Sequence, residues 1–325
     1  MRLGKVTENV LKRSVLKPLA GQKYKEGAAV GTDCAFSIKD NGEILLSSTM
    51  PVAFESDISG FIAVQGAVNN IIAMGGRPAM VVLSVLLPED AEEQMLKQIM
   101  KSAIEAADLY NVPIGGGHTE VTTAVARAVI TATATGEALP ETFTPVKNAK
   151  AGDDIVMAGY AGMTGTAVLA RVREAELKTR YPAHMIEEAR DYNRYAADAS
   201  EAAVAIKSGI RAMHDISYGG VFAALWELAE GSGTGLEADL KKIPIKQETI
   251  EICEMLEVNP YQLLTGGMLI AAEDGEQLVA AFAKEGIAAR IIGKLQSGND
   301  RILINDDEKR FLELPQADEI HKILG

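Results

Sequence analysis

Residues 58–87 read ISGFIAVQGAVNNIIAMGGRPAMVVLSVLL, and this stretch decides the fold of the N-terminal half. Its first part, Ile58–Met74, has the length of a helix, and the glycine pair and proline at 75–78 are typical of a helix end. The apolar run Ala79–Leu87 contains β-branched residues and predicts a buried strand. A long helix that leads through a glycine turn into a buried strand indicates a mixed α and β domain.

Strands and one further helix are predicted around this stretch. Ala28–Ile38 and Ile44–Ser48 have strand character, and the turn signal Lys39–Gly42 between them predicts a hairpin. A second helix is expected over about 88–110, because a proline and acidic residues open it as the helix dipole favours. Ala124–Gly136 alternates large and small residues and is expected to form a long strand.

A domain boundary is predicted after the first half. The segment Leu139–Gly152 contains two prolines and has no clear periodicity. Beyond it, a strand is expected at 154–158, helices over about 166–177, 198–208, 220–230 and 250–256, and an α/β stretch over 268–304. We therefore predict an α+β or α/β protein of two domains, an N-terminal domain of residues 1–148 and a C-terminal α/β domain of residues 149–325.

Composition and charge exclude several classes of protein. The chain has 325 residues, 47% of them apolar, so it can bury a large core and is not a disordered chain. The formal net charge of −13 argues against a nucleic-acid partner and against docking on anionic membranes. Residues 1–7 lack the apolar core of a signal peptide, and the longest apolar stretch is too polar to span a bilayer. With only two cysteines, we expect a cytoplasmic protein without a disulfide framework.

The glycine-rich segment Gly115–Glu120 is the first candidate site. Its three consecutive glycines would let backbone N–H groups approach an anion such as phosphate. Thr119 adds a hydroxyl donor, and His118 could bind phosphate or a metal ion. The alternative is a plain tight turn with a surface histidine.

Two further segments precede predicted helices. Gly159–Thr166 follows a strand, a context that suits an anion at a helix N-terminus, although a glycine-dependent sharp turn explains it at least as well. Its glycine spacing matches neither a Walker A loop nor a dinucleotide fingerprint. In Met213–Gly220, His214 beside Asp215 could perform acid–base or metal chemistry, or Asp215 could simply cap the next helix.

Nine segments in a fixed order carry a resemblance to a known family. They are GTDCA at 31–35, VNNIIAMGGRP at 68–78, LLP at 86–88, GGHTE at 116–120, GDDIV at 152–156, MHD at 213–215, GG at 219–220, ELAE at 227–230 and the glycine at 235. Each motif alone is weak, but their order and spacing together are specific, and they cover nearly the whole chain. The chain resembles the aminoimidazole ribonucleotide synthetase superfamily, and within it the hydrogenase maturation protein E branch. Related branches are selenophosphate synthetase, thiamine-monophosphate kinase and the purine cyclo-ligase.

The resemblance implies a fold and a chemistry. The N-terminal half would be a half-barrel that dimerises, with a β-barrel built at the interface of a homodimer and the C-terminal α/β domain covering it. ATP would bind in the cleft between the domains, with Mg²⁺ bridging its phosphates. Members of the superfamily use ATP to phosphorylate an oxygen or selenium nucleophile.

The resemblance also implies which residues form the site. The implied metal ligands are Asp33 and Asn70. The implied nucleotide-binding set is Lys5, Asp33, Asn70, Gly115, Gly116, Gly117 and Thr119, and the implied catalytic set is His214, Asp215 and His118.

The chain departs from the family pattern at the metal site. Met50 stands where the family commonly has an aspartate, and a thioether is a poor ligand for Mg²⁺. Asn70 stands at another usual aspartate position and offers only a neutral carbonyl oxygen. Asp57 is a candidate substitute ligand, and we expect the magnesium site to be weakened.

Other departures concern the substrate side. Tyr218 replaces the usual basic residue before the glycine pair, and Gly266 replaces an acidic residue common in the maturation branch. The sequence also lacks the terminal cysteine on which the maturation protein carries a carbamoyl group, so dehydration of a thiocarbamate is not expected.

Two hypotheses on function follow. The first is an ATP-dependent enzyme that activates an unidentified small-molecule substrate by phosphoryl transfer, with a protein partner also open. The second is a non-catalytic dimeric binding protein that kept the fold and lost the magnesium site.

Overall fold

A computed structural model describes residues 3–21, 27–195 and 199–325. The start of the helix predicted over 198–208 lies outside these residues. Among the described residues, no helix has both the length and the apolar character needed to cross a lipid bilayer.

The N-terminal half is a helix-covered sheet. Its elements are α1 (Glu8–Leu11), a π-helical turn (Lys12–Leu16), α2 (Lys17–Leu19), β1 (Ala35–Ile38), β2 (Ile44–Val52), α3 (Ser59–Ala73), β3 (Arg77–Leu87), α4 (Glu93–Leu109), β4 (Ile114–Val121) and β5 (Val129–Ala138). The strands form a five-stranded sheet in the order β1-β2-β5-β3-β4. All pairs are antiparallel except β3 with β4, which is parallel because α4 crosses over between them.

The stretch chosen from the sequence folds as predicted. α3 ends at Ala73, and Gly75 takes a positive φ of 73°, in the left-handed region that glycine tolerates at a helix end. The predicted hairpin is confirmed, since Gly42 has a φ of 86° and β1 pairs antiparallel with β2. β1 is shorter than predicted, because the described residues before Ala35 form turns and bends.

The glycine-rich segment differs from its sequence interpretation. It is not a turn but the body of β4, at the edge of the sheet. Gly116 and Gly117 have φ values of 144° and 154°, and a Cβ on Gly117 would lie 1.8 Å from the carbonyl oxygen of Leu83 on the next strand. The glycines are therefore needed for a strained strand that lies unusually close to its neighbour.

One face of this sheet is buried and the other is open. Alternate residues of β2, from Ile44 to Val52, pack into the core, whereas Leu45 on the opposite face is 43% exposed. Met80 on β3 is 40% exposed, and the residues of β4 after Ile114 are exposed. α3 is almost wholly buried, because one side packs on the sheet and the other meets the C-terminal half, where Gln65 donates to the carbonyl oxygen of Asn193 at 2.8 Å.

The C-terminal half contains a second, larger sheet. Its elements are β6 (Asp154–Ala158), α5 (Met163–Val172), α6 (Glu174–Leu177), α7 (Ala183–Arg190), α8 (Ala199–Lys207), β7 (Ala212–Asp215), α9 (Gly220–Ser232), β8 (Gly235–Asp239), α10 (Gln247–Met255), β9 (Met268–Ala272), α11 (Gly275–Lys284), β10 (Ala289–Gln296), β11 (Arg301–Asn305), β12 (Glu308–Phe311) and α12 (Ile320–Leu324), with 3-10 turns at Val146–Asn148, Asp191–Tyr195, Leu240–Lys242 and Pro260–Gln262. The strand order is β12-β11-β8-β10-β6-β9-β7. The predicted two-part α and β architecture is therefore confirmed.

The N-terminal sheet is open in the described chain. Its edges are β1 and β4, and they do not pair with each other. An open edge and an open face can be covered by a second copy, so the barrel implied by the family resemblance stays a prediction about a dimer.

Candidate functional site

The candidate site lies where the two halves meet. β7 belongs to the C-terminal sheet and ends at His214 and Asp215, while Asp33 comes just before β1 in the N-terminal half. His214 Nδ1 lies 3.0 Å from Asp33 Oδ1, and the two side chains are only 3% and 5% exposed. The tertiary structure thus brings together two of the residues selected from the sequence, 181 positions apart.

The other nitrogen of His214 is also engaged. Nε2 lies 3.2 Å from Oε2 of Glu227 on α9. Although burial lowers the pKa of His214, the carboxylates of Asp33 and Glu227 raise it to about 10. His214 is therefore held as an imidazolium between two carboxylates, with both ring nitrogens occupied, and acid–base chemistry would require one of these contacts to break.

Lys5 closes the same cluster from the N-terminal segment. Its ammonium lies 3.4 Å from Glu227 Oε1, and its side chain is about half exposed. Burial alone would raise the pKa of Glu227, but Lys5 and His214 lower it to about 2. Lys5, predicted as a phosphate contact, is here the partner of a carboxylate at the rim of the cluster.

Glu227 was not among the sequence-predicted site residues. In the sequence, the one feature that points to Glu227 is its place in the ELAE segment at 227–230, which belongs to the family resemblance. The path of α9 across the end of β7 brings it to His214, and no local spacing indicates that approach.

Asp33 and Asn70 are neighbours through Cys34. The Cys34 thiol donates to the backbone oxygen of Asn70 at 3.1 Å, and Asn70 Nδ2 donates to Ser48 Oγ at 2.7 Å. These contacts place the two predicted metal ligands in one region of the site.

Met50 lines the junction together with Asn69 and Asp215 but offers it only a thioether. Its sulfur packs on α3, where a Cβ on Gly66 would lie 3.1 Å from it. The described residues contain no group of three or more His, Cys, Asp or Glu side chains arranged to hold a metal ion. Mg²⁺ needs hard oxygens but is often bound by one or two protein oxygens together with phosphates. Asp33 and Asn70 fit that mode, and they do not fit a centre made of protein ligands alone.

Asp57 is paired with arginine side chains of the C-terminal half. Its Oδ1 lies 3.0 Å from Nε of Arg171, whose side chain is only 12% exposed. A second arginine, Arg190, lies 4.0 Å from the other oxygen. In this structure the carboxylate is the counter-ion of a largely buried arginine of the C-terminal half, and Asp57 as a magnesium ligand stays a prediction.

The glycine strand lies apart from the Asp33 cluster within one chain. β4 is at one edge of the sheet and β1 at the other, so four strand spacings, roughly 19 Å, separate them. On β4, His118 Nε2 lies 3.1 Å from Glu120 Oε2, and both side chains are more than half exposed. His118, Thr119 and the glycines therefore face solvent in this chain.

Two departures from the family pattern have structural roles. The Tyr218 hydroxyl donates to the backbone oxygen of Pro51 at 3.3 Å and so links the two halves. Next to it, the N–H of Gly219 donates to the buried carboxylate of Asp318 at 2.6 Å. Gly266 lies beside Asp215 in the wall of a small cavity.

Asp215 is buried beside the pair of Asp33 and His214. It is 4% exposed, and the side chain of Ser217 lies within hydrogen-bonding reach of its carboxylate. Burial and the nearby Asp33 carboxylate raise the pKa of Asp215 to about 7.

Comparison with known proteins agrees with this architecture. Residues 30–138 match the family model "AIR synthase related protein, N-terminal domain", and residues 150–305 match its C-terminal counterpart. A putative hydrogenase expression/formation protein of Methanocaldococcus jannaschii is 27% identical, over 98% of this chain and 97% of that protein. Carbamoyl dehydratase HypE of Cupriavidus necator is 29% identical, over 75% of this chain and 70% of that protein.

A solved structure shares the fold. The hydrogenase maturation protein HypE in complex with ATP superimposes with a TM-score of 0.69 and 19% identity, covering 98% of this chain and 97% of that one. Both halves of the chain match the family models in the order seen in the fold, and the chain therefore belongs to the family of AIR synthase related proteins.

Proposed function

We propose that this protein binds ATP and activates a small substrate by phosphoryl transfer in the cleft between its two halves. The observation that carries the proposal is the charged cluster of Asp33, His214 and Glu227 at that junction, in which Asp33 and His214 are buried, beside the buried carboxylate of Asp215. Buried charges are costly, and ionisable groups with shifted pKa values cluster at functional sites. The family relatives support the nucleotide, because a HypE structure holds ATP.

The residues take different roles in this proposal. Asp33 and the carbonyl oxygen of Asn70 would hold Mg²⁺ together with the nucleotide phosphates. When bound, the ion would neutralise part of the negative charge of the phosphates. His214 orients Asp33 as a fixed imidazolium, and Asp215 faces the substrate side. Lys5, at the rim, could turn from Glu227 to a phosphate, because its side chain is about half exposed.

The glycine strand enters the proposal through a dimer. Gly115, Gly116, Gly117 and Thr119 are exposed on an unpaired sheet edge, and His118 beside them is exposed as well. In a homodimer that covers the open faces of the two N-terminal sheets, β4 of one copy would offer its backbone N–H groups, and His118, to a phosphate at the other copy's site. Mixed dimers of Asp33→Ala and Gly117→Ala chains would then regain one complete site, whereas neither parent would have any.

Calorimetric titration with ATP and ADP, with and without Mg²⁺, tests the nucleotide. We expect saturable binding that strengthens with Mg²⁺, and at least a tenfold loss of affinity in Asp33→Ala. Asp306→Asn is the matched control, since Asp306 is an exposed residue of the C-terminal half that pairs with Lys241. Absence of binding by the parent chain under every metal condition would contradict the proposal.

A second candidate is a non-catalytic binding protein. It is favoured by Met50 packed on α3, by the neutral Asn70, and by His214 holding the carboxylate of Asp33. In that case Met50→Asp combined with Asn70→Asp should create Mg²⁺-dependent nucleotide binding that the parent lacks. Tight binding by the parent removes the case for this candidate.

A further inference from the structure

The first described residues of the chain lie along helix α9, and we call residues 3–21 the strap. Three side chains of the strap contact α9. These anchors are Lys5 with Glu227, Glu8 with the indole N–H of Trp226, and Lys12 with Glu230. Their partners fall within residues 226–230, little more than one helical turn, so the strap is anchored at one place on α9.

The strap covers one side of the charged cluster of Asp33, His214 and Glu227. The carboxylate of Glu227, more than those of Asp215 and Asp33, raises the pKa of Lys5, so the ammonium lies near all three acidic groups. Asp33 and His214 are 5% and 3% exposed with the strap in this position. A ligand that approaches the cluster from this side must therefore displace the strap.

Surface contacts hold the strap, and a packed core does not. No residue of α1, of the π-helical turn after it or of α2 is buried, and all of them belong to the described chain. The apolar side chains of Leu3, Val6 and Val15 are 60%, 42% and 42% exposed. The lysines of the two ion pairs are also about half exposed, and such pairs contribute little to stability. Segments with so few buried contacts separate from the rest of a protein at low free energy.

We propose that the strap opens and closes over the charged cluster, with the three anchors as its latch, and that its opening admits the ligand. When the strap opens, Lys5 leaves Glu227 and the cluster meets solvent on that side. When it closes, the ammonium of Lys5 returns to the rim, where Glu227 and an anionic ligand such as a polyphosphate compete for it. The choice of a polyphosphate rests on the proposed function, whereas the opening itself does not.

Acrylamide quenching of tryptophan fluorescence measures the opening, because Trp226 is the single tryptophan of the chain and is bonded to the strap. We expect the double variant Glu8→Ala/Lys12→Ala to raise the quenching constant roughly twofold over the parent. Lys17→Ala is the matched control, since it removes an exposed lysine of the strap that is not an anchor, and it should leave the constant unchanged. Salt screens the ion pairs, so an increase from about 0.02 M to about 0.5 M NaCl should move the parent towards the double variant.

Hydrogen–deuterium exchange of the full chain follows the strap without relying on the tryptophan. The amides of residues 8–19 should exchange about tenfold faster in the double variant than in the parent, while those of α9 keep their parental rate. Faster exchange of α9 as well would mean that the substitutions loosen the C-terminal half. Either that result, or equal quenching and equal exchange in parent and double variant, would overturn the proposal.

The rate of association with Mg²⁺–ATP tests admission of the ligand. A strap that is open for a larger fraction of the time leaves the cluster accessible more often, so the double variant should associate about threefold faster than the parent, and Lys17→Ala should match the parent. Equal association rates in a double variant whose strap is shown to be open would refute the gate. Absence of ATP binding by the parent would contradict the proposed function and remove ATP as the ligand, and the quenching and exchange measurements would still decide whether the strap opens.

Discussion

The buried pair between Asp33 and His214 is expected to be strongly coupled in folding. The test is a double-mutant cycle with Asp33→Ala, His214→Ala and the combined variant. His214→Ala leaves the carboxylate of Asp33 buried without its cation, which costs about 3–5 kcal/mol. Asp33→Ala costs less, because His214 keeps Glu227 as a carboxylate partner. The combined variant removes both charges, so its loss of stability should be smaller than the sum of the two single losses.

The structure sets the size of the coupling. At 3.0 Å between His214 Nδ1 and Asp33 Oδ1, an effective dielectric constant of about 20 gives an attraction of about 5.5 kcal/mol. The cost of desolvating both charges offsets part of this, and we expect a coupling free energy of about 2–3 kcal/mol. Lys5 with Glu227 is the internal control: the Lys5 side chain is 53% exposed, and the coupling of this pair should stay below about 1 kcal/mol.

Urea unfolding at fixed protein concentration, followed by tryptophan fluorescence, measures both cycles. The chain has a single tryptophan, Trp226. It precedes Glu227 on α9, donates to Glu8 at 2.7 Å and stacks under Arg301 at 3.9 Å, so its emission reports the packing around the cluster. Single-variant losses that add to within about 0.5 kcal/mol for Asp33 and His214 would refute the view of a buried, mutually dependent pair.

Three further predictions use other parts of the structure. Gly117→Ala should destabilise the chain by more than about 2 kcal/mol, because its Cβ would overlap the backbone of β3. Gly116→Ala has no atom within 4 Å of its added Cβ, so it should cost only the backbone strain. Equal losses of stability for the two variants in urea unfolding would contradict this. Burial raises the pKa of Asp318 from 3.8 to about 6, so the folded chain takes up a proton that the unfolded chain does not bind in that window. Its contribution to stability therefore rises as pH falls from about 6 to about 4, and Asp318→Asn should flatten that part of the profile of unfolding free energy against pH. Asp57→Ala should lower the free energy of unfolding by about 1–2 kcal/mol, because it leaves Arg171 without its counter-ion at 3.0 Å. An unchanged free energy of unfolding in urea would show that the pair contributes nothing.

Local pattern was enough to predict most elements of the fold. The helix over 59–73, the hairpin at 39–42 and the buried strand that ends at Leu87 depend on hydrophobic runs, glycine and proline, which act within a few residues. The glycine-rich segment differs from its sequence interpretation because local pattern does not include its pairing with another strand. Three glycines disfavour a strand locally, and only the parallel pairing of β4 with β3 holds them extended.

Some residues of the candidate site could be predicted from the sequence, and others depend on the tertiary structure. Asp33, Asn70, His214 and Asp215 could be selected from the order of weak motifs, because that order is written in the sequence. The sequence could not predict that Glu227 is the second partner of His214, or that Asp57 pairs with Arg171. Both contacts depend on which side chains meet when the chain folds.

The sequence by itself determined the alternation of helices and strands, the division into two halves and the kinds of side chain available for chemistry, since these follow from composition and from spacing along the chain. Only the tertiary structure decided which charges became partners and which were buried. Those outcomes depend on contacts between residues up to 222 positions apart, and such contacts form only when two sheets pack around α3 and exclude water from the junction.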